Sequence, residues 1–157
     1  MTTKQFLPLP YGKDVYSELK GNGCYFVDKT PYLKDIIDKD KSNVMLFTRP
    51  RRFGKTLFMS MVEYFLKINS ANPGDTTLQQ KLFKDTKILE DREFCAKYMG
   101  QHPVICLTLK GVYGKTFTSA YYKLAELIVA KAKEYSFLKD SLALNDDDKA
   151  TYAKLSS

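Results

Sequence analysis

The stretch Arg49-Pro50-Arg51-Arg52-Phe53-Gly54-Lys55-Thr56 is where the residue types and spacing of this sequence could do chemistry. A phosphate chain held by protein needs backbone N–H groups aimed inward, a mobile cation, and a hydroxyl for the magnesium that bridges the phosphates. Gly54 permits close approach of the backbone, Lys55 can reach the terminal phosphates, and the Thr56 hydroxyl is placed for magnesium. The largely apolar run Leu57 to Ile68 follows at once, so a helix N-terminus would point its positive dipole end at the anion. Arg51, Arg52, Phe53, Gly54, Lys55, Thr56 and Leu57 are therefore the candidate ligand-binding residues, with Thr56 also the candidate metal ligand.

One position departs from the pattern G-x-x-x-x-G-K-[ST], because Arg49 stands where the first glycine belongs. An arginine resists the positive φ that this glycine normally adopts, and Pro50 removes one N–H donor. The loop must open differently, or lean on Arg51 and Arg52 for charge neutralisation. The triplet Gly-Lys-Ser/Thr alone is weak evidence, since ordinary residue usage produces it in about one chain of this size in ten. A second copy is present at Gly114-Lys115-Thr116, but its would-be first glycine is Leu109, inside an apolar run. With no room for a loop, it reads as an ordinary turn into a helix.

These residues need elements to hold them. Val44-Met45-Leu46-Phe47 just before the loop is an apolar run of the kind found in strands covered on both faces, and Leu57–Ile68 is apolar nearly all round, which predicts a helix buried on most sides. Upstream, an amphipathic piece with Val15, Tyr16 and Leu19 is closed by glycines, and a brief strand is expected at Cys24–Val27. Thr30 followed by Pro31 suits a helix cap and first helical residue, with Leu33, Ile36 and Ile37 as the buried stripe. Asn69-Ser70 and Asn72-Pro73-Gly74 mark turns, and polar helical pieces between Leu78 and Met99 close at Gly100 as a C-terminal cap. Val104–Leu109, between Pro103 and Gly111, reads as another strand, followed by a long helix from about Ser119 to Phe137. Strand, helix, strand, helix implies a three-layer α/β/α arrangement on a parallel sheet. The expected divisions are 1–42, 43–68 for the loop and its neighbours, and 69–157.

Composition narrows the remaining classes. The 157 residues carry 25 Lys and Arg against 18 Asp and Glu, a net charge of +7, with both signs interspersed outside the Arg49–Lys55 cluster. Such a surplus suits a polyanionic ligand or nucleic acid, while Lys123, Lys131 and Lys133 read as solvated helix faces. Cys24, Cys95 and Cys106 share no metal-ligand spacing, which predicts reduced, core-filling thiols. His102 is the only histidine, so a His-based metal cluster or a Ser/His/Asp triad cannot be assembled. No run of 18 apolar residues occurs and residues 1–10 lack a signal-peptide core, so no membrane partner and a cytoplasmic location are expected.

With these segments in view, the chain resembles the bacterial predicted AAA-ATPase family that carries an Arg-Pro-Arg-Arg-Phe-Gly-Lys-Thr-Leu loop. The resemblance rests on Leu9-Pro10-Tyr11-Gly12, on Tyr25-Phe26-Val27-Asp28-Lys29-Thr30-Pro31-Tyr32-Leu33, and on Phe47 to Leu57. Leu82-Phe83 with Ile88, and Pro103 to Leu107, also fit that family's layout. It implies that Arg49 is a family trait and that the fold is P-loop NTPase-like, of which this chain is the N-terminal part. It further implies an acidic strand of the Leu-Ile-Asp-Glu-Tyr-Asp type for magnesium and water activation, and often a C-terminal nuclease-like domain. Neither occurs in this sequence; Asp146-Asp147-Asp148 follows no apolar strand and reads as a solvated loop.

The expected activity is thus binding of ATP with Mg2+ through a variant Walker A loop, with hydrolysis not expected from this chain alone. Two other readings stay open. One is a basic nucleic-acid-binding module using the Arg cluster and some of the 11 Tyr residues, which full-length relatives may combine with ATP control. The other is an inert truncated remnant, whose exposed edges would favour self-association.

Overall fold

The computed structural model describes residues 7–37 and 44–156. The polar start at residues 1–6 and the link 38–43 lie outside the described residues. Met1–Val104 and Ile105–Ser157 form two compact units.

The first unit is a helical packing around aromatic residues. Its elements among the described residues are helices α1 (Tyr16–Gly21), α2 (Tyr32–Ile37), α3 (Lys55–Leu66), α4 (Thr77–Leu82) and α5 (Arg92–Tyr98), with a 3-10 turn at Lys87–Glu90. Tyr16, Leu33, Met61, Phe65, Phe83, Ile88 and Phe94 form the centre of the core. Phe65 meets Phe83 edge-on at 5.3 Å and stacks on Phe94 at 5.8 Å between ring centroids. Tyr16 closes the other side at 4.9 Å from Phe83. Burial of these rings is the dominant favourable term, and their offset geometry adds a smaller one.

Polar groups fix how α1 and α3 meet. Ser60 Oγ accepts a hydrogen bond from Tyr16 N–H at 2.8 Å and donates to Leu57 O at 2.9 Å, and Ser17 Oγ donates to Tyr64 Oη at 2.9 Å. The Tyr16 hydroxyl donates to Leu82 O at 3.3 Å, and burial, with the Asp28 charge, pushes its ionisation upward. The buried stripe expected on α2 is present, with Leu33 fully enclosed and Ile37 packed on the core. After α3 the Asn69 side chain accepts from Ala71 and Asn72 N–H, which makes the expected turn. Gly100, with φ of +69°, follows α5 as expected of a C-terminal cap, and its N–H donates to Phe65 O at 2.9 Å.

The expected α/β/α architecture is not what forms. Among the described residues there is no strand and no sheet, and the pairing that exists is a single parallel bridge between Lys67 and His102. His102 N–H donates to Leu66 O at 2.9 Å and Ile68 N–H to His102 O at 2.8 Å, which gives His102 a backbone role. The three expected strands at 24–27, 44–47 and 104–109 have no strand structure, although 24–27 does alternate: Cys24 is buried and Tyr25 and Val27 are exposed. At 44–47 the apolar side chains lie in the open, with Val44 at 81% and Leu46 at 85% exposure, contrary to a strand covered on both faces. A strand exists only through its neighbours, and a pattern of apolar residues cannot by itself supply a partner.

Helix α3 also differs from its expectation. It buries Ser60, Met61 and Phe65 on one face while Met59 stands 52% exposed, because its packing partners lie on one side.

The second unit packs α6 (Phe117–Glu134) against α7 (Asp146–Ser156). The Tyr152 hydroxyl is held between Ala132 O at 2.7 Å and Tyr135 O at 2.9 Å, and desolvation raises its ionisation. Thr116 caps α6: its side chain accepts from Ser119 N–H, and the Ser119 side chain returns a bond from the Thr116 backbone. The second Gly-Lys-Thr triplet is therefore a helix cap. Asp146, Asp147 and Asp148 are not a loop but the first turn of α7, where Asn145 Oδ1 accepts from Asp148 N–H at 2.8 Å. Acidic residues favour that position because they oppose the helix dipole.

Candidate functional site

The site is built on the entry to α3. Phe47 meets Phe58 edge-on at 5.7 Å, which ties the incoming chain to the first turns of the helix. Between them the backbone turns sharply through two left-handed residues, Arg52 with φ of +66° and Gly54 with φ of +74°. Gly54 is the N-cap of α3, and its carbonyl accepts the first helical hydrogen bond from Phe58 N–H at 2.9 Å. Glycine carries no capping side chain, so no cap takes up the N–H groups of the first turn.

Lys55 spans the loop. Its Nζ donates to the carbonyl of Arg49 and, at 2.8 Å, to that of Pro50, so residues 49–55 curl round and bring the ammonium to their mouth. Position 49 contributes its carbonyl to this contact, and Arg49 does not adopt a positive φ; the left-handed turn falls at Arg52. Arginine there is strained by about 1 kcal/mol.

The remaining sequence-predicted residues surround this curl. Arg51, Arg52, Phe53 and Thr56 are exposed, and Leu57 is half-buried. Among the described residues the side chains of Arg49, Arg51 and Arg52 form no ion pair, which leaves their charge uncompensated beside Lys55. The Thr56 hydroxyl likewise makes no hydrogen bond among the described residues. No group of three or more His, Cys, Asp or Glu that could hold a metal is present among them.

An apolar pocket of about 200 Å³ adjoins the loop, with Gly54 in its wall beside Tyr25, Phe26, Val27, Leu57 and Phe58. Tyr25, Phe26 and Val27, expected from the sequence only as part of a strand and a motif segment, thus line a pocket beside the loop. Their segment is pinned by Asp28, whose Oδ1 accepts from Thr30 N–H at 2.9 Å and from the Thr30 hydroxyl at 2.7 Å, and whose Oδ2 accepts from Lys87 N–H at 2.8 Å. Thr30 is fully buried, and its Oγ1 also accepts from Ile88 N–H, so its hydroxyl is occupied here and does not cap α2. Burial pushes the Asp28 carboxyl upward, but the hydrogen bonds from Lys87 and Thr30, with the Lys87 charge, outweigh it and hold the carboxyl below its ordinary value.

A model of one protein family, described as predicted AAA-ATPase, matches residues 10–157. The chain belongs to that family. No curated protein and no solved structure matches it. The match spans the motif segments Tyr25–Leu33 and Phe47–Leu57, so the family description agrees with a coarse ATPase-like role. Among the described residues no helix is long and apolar enough to cross a membrane.

The Asp28-Lys29-Thr30 segment yields a pH-dependent prediction. A carboxyl lowered by folding contributes stability that is fully present above its unfolded value and is lost as the pH falls through its folded value. Asp28→Asn keeps one acceptor but turns an N–H2 toward a donor, so a loss of about 1–2 kcal/mol is expected at pH 7. Chemical denaturation of both proteins from pH 7 to pH 3 should show this difference shrinking below about pH 4. A constant difference across that range would remove the carboxylate from the account.

Proposed function

We propose that residues 49–56 bind the phosphates of a nucleoside triphosphate, ATP with Mg2+, through a variant Walker A loop in an AAA-ATPase-like protein. The observation that carries this reading is Lys55 held across the curled loop by the Arg49 and Pro50 carbonyls, at the uncapped N-terminus of α3. An ammonium bound by carbonyl oxygens can exchange them for phosphate oxygens, a stronger pairing because both partners are charged. Backbone N–H groups around Gly54 take the phosphate chain, and Arg51 and Arg52 add charge. Thr56 fits a metal that arrives with the nucleotide, since its uncommitted hydroxyl supplies one ligand while phosphate oxygens and water supply the rest. The reading is of binding, and hydrolysis is not part of it.

A second reading, nucleic-acid binding, is favoured by residues 105–125, which contain no Asp or Glu. There Tyr113, Phe117, Tyr121 and Tyr122 are exposed, and Lys123 Nζ lies 4.5 Å over the Tyr113 ring. One titration separates the two. Calorimetry with ATP and Mg2+ should show saturable binding, unchanged by a single-stranded oligonucleotide if the surfaces are separate and competed by it if the Arg cluster serves both. Absence of saturable ATP binding would sink the first reading.

A further inference from the structure

We infer that the exposed rings at the start of the second unit hold the unpaired bases of a single-stranded nucleic acid, with the lysines among them on its phosphates. The inference rests on the nucleic-acid reading above and adds which form of nucleic acid is held and by which side chains. The first unit encloses its large rings Tyr16, Phe65, Phe83 and Phe94, whereas Phe117 is 84% exposed, Tyr113 73%, Tyr122 64% and Tyr121 58%. Helix α6 buries none of its residues fully. Its rings form a row: Phe117 and Tyr121, four positions apart on one face, stack at 6.2 Å between centroids, and Tyr122 stands edge-on to Tyr121 at 6.2 Å.

Charge decides what covers this row. Lys110, Lys115 and Lys123 are interleaved with the rings along the chain, and none forms an ion pair among the described residues. An apolar protein surface would have to desolvate these unpaired ammonium groups to reach the rings, which is costly. A polyanion gains from the same lysines, through release of its own counterions. Lys123 Nζ lies 4.5 Å over the Tyr113 ring, and an exposed contact of this kind is weak, so the ammonium can leave for a phosphate while the ring takes a base. The strand must be unpaired. A duplex keeps its base faces stacked on one another, whereas a single strand splays its bases onto aromatic rings. The N-terminus of α6 takes no part, since Thr116 and Ser119 cap it.

The test uses the full chain and three labelled probes read by fluorescence anisotropy: a single-stranded oligothymidylate of about 15 nucleotides, its duplex with oligoadenylate, and an abasic strand of equal length, which keeps the phosphates without bases. Wild type should bind oligothymidylate about tenfold or more tighter than either of the others. Phe117→Ala and Tyr121→Ala remove exposed rings and leave the Thr116–Ser119 cap in place, so both should fold, which thermal melts check. Each should weaken oligothymidylate binding about tenfold and leave the abasic strand unchanged, and Tyr121→Phe should keep wild-type affinity. Lys115→Ala should instead weaken both single strands and reduce the slope of log affinity against log salt by about 0.7. Oligothymidylate bound no tighter than the abasic strand or the duplex, or ring variants that bind it like wild type, would overturn the stacking assignment alone. If wild type bound none of the probes, the nucleic-acid reading would fall and this inference with it.

Discussion

Lys55→Ala is expected to reduce ATP affinity about 100-fold while leaving the ligand-free protein nearly as stable as before. Two charge-assisted hydrogen bonds to phosphate, each worth about 1.5–3 kcal/mol, amount to at least that factor. The stability cost is small because the bonds lost in the ligand-free chain are exposed ones to the Arg49 and Pro50 carbonyls, groups that water can satisfy. A thermal-shift series therefore separates the two effects. At ATP concentrations about 100 times the dissociation constant, wild type should gain about 2.7 kcal/mol and the variant almost nothing. Lys115→Ala is the internal control, since that lysine precedes Thr116 in a triplet that only caps α6. If Lys115→Ala lowered ATP affinity as much as Lys55→Ala, or if Lys55→Ala left it intact, the loop at 49–56 would not be the phosphate site.

The contrast between these triplets shows what could be read from the residues alone. Both contain Gly-Lys-Thr before a helix, and the spacing back to position 109 already distinguished a cap from a loop. The same local logic located α1, the stripe on α2, the turn after α3 and the cap at Gly100, each specified by residues within a few positions. What failed was non-local. Val44–Phe47 and Val104–Leu109 have the composition of covered strands, but covering is a property of other segments, and Val44, Leu46, Ile105 and Leu109 instead stand open. Leu57–Ile68 was over-read for the same reason: its partners Tyr16, Phe83 and Phe94 are 41, 18 and 29 positions from Phe65 or Leu57 and reach only one face. The start of α7 was misread as a solvated loop, although Asn145 before three aspartates is a cap followed by an acidic first turn. At the site, the loop was visible and its mode of closure was not. That Arg52 takes the left-handed turn, and that Asp28 fastens the pocket wall to Lys87, follow from contacts that spacing does not encode.

Phe65 links this packing to the site. It is fully buried, touches the rings of Phe83 and Phe94, and its carbonyl receives the Gly100 N–H, so it fastens the far end of α3 to α4, α5 and the chain beyond. Phe65→Ala removes the ring and leaves a cavity, at a cost of about 3–5 kcal/mol. For a unit of this size each kcal/mol lowers the melting temperature by about 4–8 °C, so the variant should melt well below wild type or fail to fold. Phe65→Leu keeps most of the volume and should cost markedly less, which provides a folded protein for comparison. Below its own melting temperature, Phe65→Leu should bind ATP like wild type, because Phe65 lies 11 positions along the chain from Gly54, three turns from the loop. Denaturant unfolding and ATP titration of the same samples would decide the matter: a loss under about 1 kcal/mol for Phe65→Ala would mean that α3 is not held by this aromatic cluster. Weakened ATP binding by a well-folded Phe65→Leu would mean that the loop's geometry is set by the core beneath it and not by the local turn at Arg52 and Gly54.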